Sequence, residues 1–163
     1  MFSRLLILFS FCVFLSACSK LSDPGCTYTE STVAVPASEM TSLQAWVTAN
    51  KPAAILHPGG FYYEIIAAGA GTVTPTLCGN ITVKYAGSLT NGFKFTSVNE
   101  ETIPSTFTLG GLIIGWQRGI PLIKAGGTIN LYLPPSLGYG ASASASIPAN
   151  SILLFTVQLI SVP

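Results

Sequence analysis

Apolar and polar positions follow four successive rhythms along this chain, and each predicts a different kind of segment. Residues 5–15 are almost wholly apolar and follow a single basic residue, Arg4. The run ends in Leu15, Ser16, Ala17 and Cys18, so it reads as a cleaved secretory leader, too short for a membrane span of roughly 20 apolar residues. Residues 18–36 hold Ser, Thr, Pro and Gly without a period and predict a flexible tether. Met40, Leu43, Trp46 and Val47 then recur at helical spacing, which predicts a helix over residues 39–50 capped by Ser38 and stopped at Lys51 and Pro52. That apolar stripe suits either a helix docked on its own domain or a dimerising arm.

From Phe61 the period becomes two. Residues 61–66 are a strand candidate, and Ile81, Val83 and Tyr85 alternate with polar or small residues as a half-buried strand does. Asn91 and Gly92 signal a tight turn into residues 93–95. Phe107 and Leu109 predict a short strand, and the sequence GWQRG at 115–119 one short helix. Ile129, Leu131 and Leu133 alternate until Pro134 and Pro135 break the run. Residues 141–146 alternate Ala and Ser as a pliant loop, and Leu153, Phe155, Val157 and Leu159 form the last strand. Antiparallel strands around one short helix make an α+β plan. The predicted organisation is a leader over 1–17, a tether over 18–36, a helical lead-in over 37–59 and one domain over 60–163.

Composition narrows the function. Charged residues are 8% of the chain, against roughly 25% in ordinary soluble proteins. No basic patch is available to track phosphates, which excludes nucleic acid as an expected partner. Small residues before Cys18 make the leader a bacterial lipoprotein signal, with Cys18 as the lipidation site and the membrane as an anchor. Cys26 and Cys78 then remain as an even pair in an oxidising compartment and are expected to form a disulfide, although two separate thiols fit the sequence as well.

Searches for ordinary catalytic machinery fail. Gly69 and Gly71 lack the third glycine of a dinucleotide fingerprint, and Trp116 stands where a phosphate loop needs Lys. The only histidine, His57, has no Cys, Ser or carboxylate at telling spacing, so no metal site or cofactor is expected. Glu100 and Glu101 sit together in what reads as a surface loop. The pattern favours binding, or a reaction that needs no proton transfer.

Aromatic residues beside turns stand out instead, and the motifs holding them resemble those of one family. ITVKYAGSL at 81–89, NGFKF at 91–95, FTLG at 107–110, LIIGWQRG at 112–119, LGYG at 137–140 and IPANSILLF at 147–155 are similar, in order and spacing, to the FKBP-type peptidyl-prolyl isomerases. The lead-in resembles that of bacterial lipoprotein members. The resemblance implies an FKBP-like α+β fold, a twisted antiparallel sheet wrapped around one short helix. It also implies a pocket with Trp116 as floor, Tyr85, Phe95 and Phe155 as walls, Leu112 and Ile113 along one side, Tyr139 offering its hydroxyl and Ile147 overhead. The backbone N–H of Ile113 is expected to face a ligand carbonyl. Two positions depart from the family pattern: Thr96, which the resemblance places among the substrate-binding residues, replaces an Asp after the wall Phe, and Ser105 replaces a large wall residue. The implied activity is cofactor-free rotation of X–Pro bonds in unfolded or exported proline-containing polypeptides, in the cell envelope on the outer membrane. The alternative is an envelope binding or chaperone module with weakened catalysis.

Overall fold

The computed structural model describes residues 25–96, 98–144 and 146–163. The leader and Cys18 lie outside the described residues. Helix α1 covers Ala37–Asn50, followed by strands β1 (Ile55–His57), β2 (Phe61–Ala67) and β3 (Asn80–Leu89). Helix α2 (Val98–Thr102) precedes β4 (Ser105–Thr108), and helix α3 (Ile114–Gly119) precedes β5 (Thr128–Leu133) and β6 (Leu153–Ser161). The strands form a single antiparallel sheet in the order β1-β2-β5-β6-β3-β4. This is the α+β fold expected from the sequence.

Alternation along the central strands decides the two faces, because successive side chains point opposite ways. Ile129, Leu131 and Leu133 of β5, with Leu153, Phe155, Val157 and Leu159 of β6, point to the inner face and join Ile81, Val83 and Trp116 in the main core. Tyr132, between Leu131 and Leu133, points outward and meets Tyr62, its directly paired residue on β2. Leu43 and Val47 of α1 bury themselves against this tyrosine pair, flanked by Met40 and Trp46. The predicted stripe therefore docks on its own domain.

Helix α1 starts two residues earlier than expected. Pro36 occupies the cap position with φ −58° and no side-chain capping bond, since its fixed φ already suits a helix start. Ser38 lies inside the first turn, where its carbonyl accepts from the Ser42 hydroxyl at 3.0 Å. Glu39 in that turn accepts the backbone N–H of Ser136 at 2.9 Å, which ties α1 to the turn after β5.

Residues 26–35 depart from the flexible tether that composition suggested; they form an ordered strap. Cys26 is disulfide-bonded to Cys78, with Cα atoms 5.6 Å apart. The Tyr28 ring lies so close to Gly110 that a Cβ there would overlap it. Arg118 of α3 donates to the carbonyls of Ser31 and Val33 at 2.8 and 2.9 Å, and to Gly59 at 2.8 Å. Val35 packs against Gly60, whose φ of 82° and missing side chain both make glycine necessary there. The strap thus reaches the helix that carries Trp116.

Candidate functional site

Helix α3 is poorly suited to form by propensity: it has six residues, two of them glycine, and no side-chain cap. Packing makes it. Gly115 sits against the Leu133 side chain and Gly119 against Leu131. Four helical residues rise about 6 Å and two strand residues about 6.6 Å, so the glycines match the leucines in spacing. This close approach sets Trp116 into the inner face, 4% exposed.

Around Trp116 the rings follow one another edge to face. Tyr85 of β3 meets it at 5.0 Å and 86°, and Phe155 of β6 at 5.3 Å and 83°. Phe95 continues the series onto Phe155 at 5.5 Å and 75°. Phe107 of β4 ends it on the other side of Tyr85 at 6.4 Å and 66°. These are the separations at which ring edges and faces attract. Gly87 makes the Phe95 contact possible, because a Cβ there would overlap the Phe95 ring and press on Phe155.

The remaining expected residues fall around these rings with different exposure. Leu112 and Ile113 are half-buried where the chain enters α3, and Ile147 is 7% exposed over the core. Tyr139 is 41% exposed. Gln117 Nε2 donates to the carbonyls of Gly110 and Leu112 at 3.0 and 2.7 Å, fixing the approach to Ile113. Thr96 turns its hydroxyl to the backbone of Gly87, accepting its N–H at 3.0 Å. That bond fastens the loop carrying Phe95 to β3.

Two groups were missed by sequence reasoning. Phe107 was read only as a strand residue, although its alternation with Leu109 already placed it on the inner face. Glu100 was assigned to a surface loop but lies half-buried in α2. Tyr85 is held above the ordinary tyrosine range by burial first, then by the Glu100 charge and by Tyr139.

Cavities elsewhere have a different character. A groove of about 270 Å³ on the outer sheet face is lined by Lys51, Ser88, Lys94, Asn130, Tyr132 and Thr156 among others. It touches the ring cluster only through Phe155 and Gly87. On that face Glu64 accepts from the Tyr132 hydroxyl and from Asn130; burial and this partnership push the Tyr132 hydroxyl far up. Among the described residues no three His, Cys, Asp or Glu side chains gather as a metal would require. What the ring cluster offers chemically is a water-poor aromatic surface with hydroxyls at its edge.

Comparison with known proteins agrees in fold and in sequence. Residues 71–160 match the family described as FKBP-type peptidyl-prolyl cis-trans isomerase. The chain is 45% identical over 103 residues to the FKBP-type peptidyl-prolyl cis-trans isomerase FkpA of Buchnera aphidicola subsp. Schizaphis graminum, covering 63% of this chain and 41% of that protein. It is 37% identical over 121 residues to the outer membrane protein MIP of Legionella longbeachae, covering 72% and 52%. The crystal structure of FkpA from Escherichia coli superposes with a TM-score of 0.67 at 32% identity, over 77% of this chain and 58% of that one. The chain spans about half or less of the length of these curated relatives.

Proposed function

Since this chain belongs to the FKBP-type peptidyl-prolyl cis-trans isomerase family, we propose that it rotates X–Pro bonds in unfolded or exported polypeptides through the ring cluster around Trp116. The observation that carries this reading is the edge-to-face series Phe95–Phe155–Trp116–Tyr85.

The chemistry follows from the amide itself. Rotation meets a barrier of about 18–20 kcal/mol because twisting destroys resonance between nitrogen and carbonyl. Water stabilises the planar, charge-separated form. A dry aromatic surface withdraws that stabilisation and fits the twisted form better, so the barrier falls without nucleophile or cofactor. Each tenfold acceleration removes about 1.4 kcal/mol. In this reading Trp116 is the floor, Tyr85, Phe95 and Phe155 the walls, and Leu112, Ile113 and Ile147 the surrounding apolar contacts. The Ile113 N–H and the Tyr139 hydroxyl are the donors, and Thr96 acts by fastening the Phe95 loop.

The same proposal places the domain in a bacterial envelope, anchored through lipid on Cys18 to the outer membrane. The Cys26–Cys78 disulfide suits that oxidising setting, and a relative is named an outer membrane protein. The test is cis–trans exchange of a Leu-Pro peptide by the full-length protein in detergent. Acceleration that Trp116→Ala lowers by one to two orders of magnitude is expected; no acceleration by the parent protein overturns the proposal. Lipid is checked separately, by mass spectrometry of the N-terminal peptide and by release of Cys18→Ser from membranes.

A further inference from the structure

The strap lies outside the residues 71–160 that match the family, yet it touches the segment that leads into α3. That segment begins with one turn of 3-10 helix, Leu109–Gly111. Gly110 in this turn is held in three ways. Its N–H donates to the Leu77 carbonyl at 2.7 Å, and its carbonyl accepts from Gln117 Nε2 at 3.0 Å. The Tyr28 ring occupies the place of its missing side chain. The Tyr28 hydroxyl stands 3.4 Å from where a Cβ on Gly111 would be.

Tyr28 is itself fixed along the chain on both sides. Just before it, Cys26 is bonded to Cys78, the neighbour of Leu77. After it, the Ser31 and Val33 carbonyls accept from Arg118 of α3. Disulfide, Leu77 carbonyl, Gly110 and ring thus close a circuit that pins the ring where it lies. The need for such a hold is local. Adjacent glycines have more conformational freedom than any other pair, and Gly110 and Gly111 stand just before Leu112 and Ile113.

Resting on the isomerase reading above, we propose that Tyr28 is a positioning residue for this site. By covering Gly110 it holds the glycine turn in the arrangement that presents the Ile113 N–H to a substrate carbonyl. Tyr28 is 42% exposed and belongs to neither core cluster, so its ring adds little to the core; what it fixes is the turn. A hydrogen bond from Ile113 serves the planar and the twisted amide alike, so loosening it weakens binding of both. The effect falls on KM and spares kcat.

The experiment measures kcat and KM for an Ala-Leu-Pro-Phe peptide with the full-length protein in detergent. Tyr28→Ala is expected to raise KM about fivefold, the worth of one net hydrogen bond, with kcat per folded molecule near the parent value. Tyr28→Phe keeps the ring over Gly110 and is expected to restore the parent KM. Gly110→Ala, whose methyl overlaps the ring and pushes it aside, is expected to raise KM as Tyr28→Ala does. The two changes together are expected to be no worse than either alone. A purely structural role predicts a different split: fewer folded molecules, hence a lower maximum rate at unchanged KM. An unchanged KM in Tyr28→Ala, or a Tyr28→Phe protein as impaired as Tyr28→Ala, overturns the proposal. If Tyr28→Ala does not fold, the KM of Gly110→Ala decides in its place. If the parent protein turns over no peptide, the isomerase reading fails, and the dissociation constant of the same peptide from tryptophan fluorescence replaces KM in every comparison.

Discussion

Helices α3 and α1 lie against opposite faces of the same sheet, with six and fourteen residues. The shorter helix sits closer. It brings glycines against Leu131 and Leu133, so nothing separates helix backbone from strand side chains at those points. Helix α1 keeps its distance through Leu43 and Val47 on the Tyr62–Tyr132 pair. A contact made by absent side chains has one geometry, whereas side chains meeting side chains can repack. The rings proposed to do chemistry are set by the first kind of contact. The face that only needs covering uses the second.

This contrast can be broken most directly at the two central side chains. Trp116→Ala should cost about 3–5 kcal/mol in denaturant unfolding and also lower peptide isomerisation per folded molecule. Leu43→Ala should cost about 2–5 kcal/mol yet leave isomerisation per folded molecule unchanged. Equal losses of activity from both would mean that the two faces are not independent.

A finer probe is Gly115→Ala, which pushes a methyl into Leu133 and should destabilise by about 1–3 kcal/mol. Adding Leu133→Val should recover part of that loss. A double-mutant cycle in urea that gives no coupling would show that α3 is not seated by this approach.

The smallest expected effect concerns His57, which stacks on Phe61 at 4.5 Å beneath the strap that Arg118 holds. Burial first and Arg118 second lower its pKa from 6.5. The unfolded chain therefore binds the proton more readily, and stability present above pH 6.5 is lost as pH falls through the folded value. Melting curves from pH 7.5 to 5 should slope more in the parent protein than in His57→Gln. Arg118→Met should also flatten the slope.

Much of this architecture was legible in the sequence where periodicity and motif coincide. Strands β3, β5 and β6, helix α3, Trp116 and the rings of Tyr85, Phe95 and Phe155 around it were all named from alternation or family pattern. Strand β1 was missed because it has three residues and leaves Ile55 and Leu56 more than half exposed, so no alternation marks it. Helix α2 was missed because five residues with two adjacent glutamates carry no apolar period. The strap was invisible for another reason. Arg118 holds its backbone carbonyls, and carbonyls leave no trace in a pattern of side chains. Thr96 shows a similar limit, since family pattern assigned it to the ligand while its hydroxyl bonds to Gly87.

The strap also sets a working radius. With lipid on Cys18 as proposed, the chain is fastened again at Cys26 by the bond to Cys78. Only the eight steps from residue 18 to residue 26 are left as a leash, and fully extended they reach at most about 29 Å. Under the proposed function and anchor, so short a leash would confine the domain to the membrane surface, where it would meet polypeptides that emerge or pass close by.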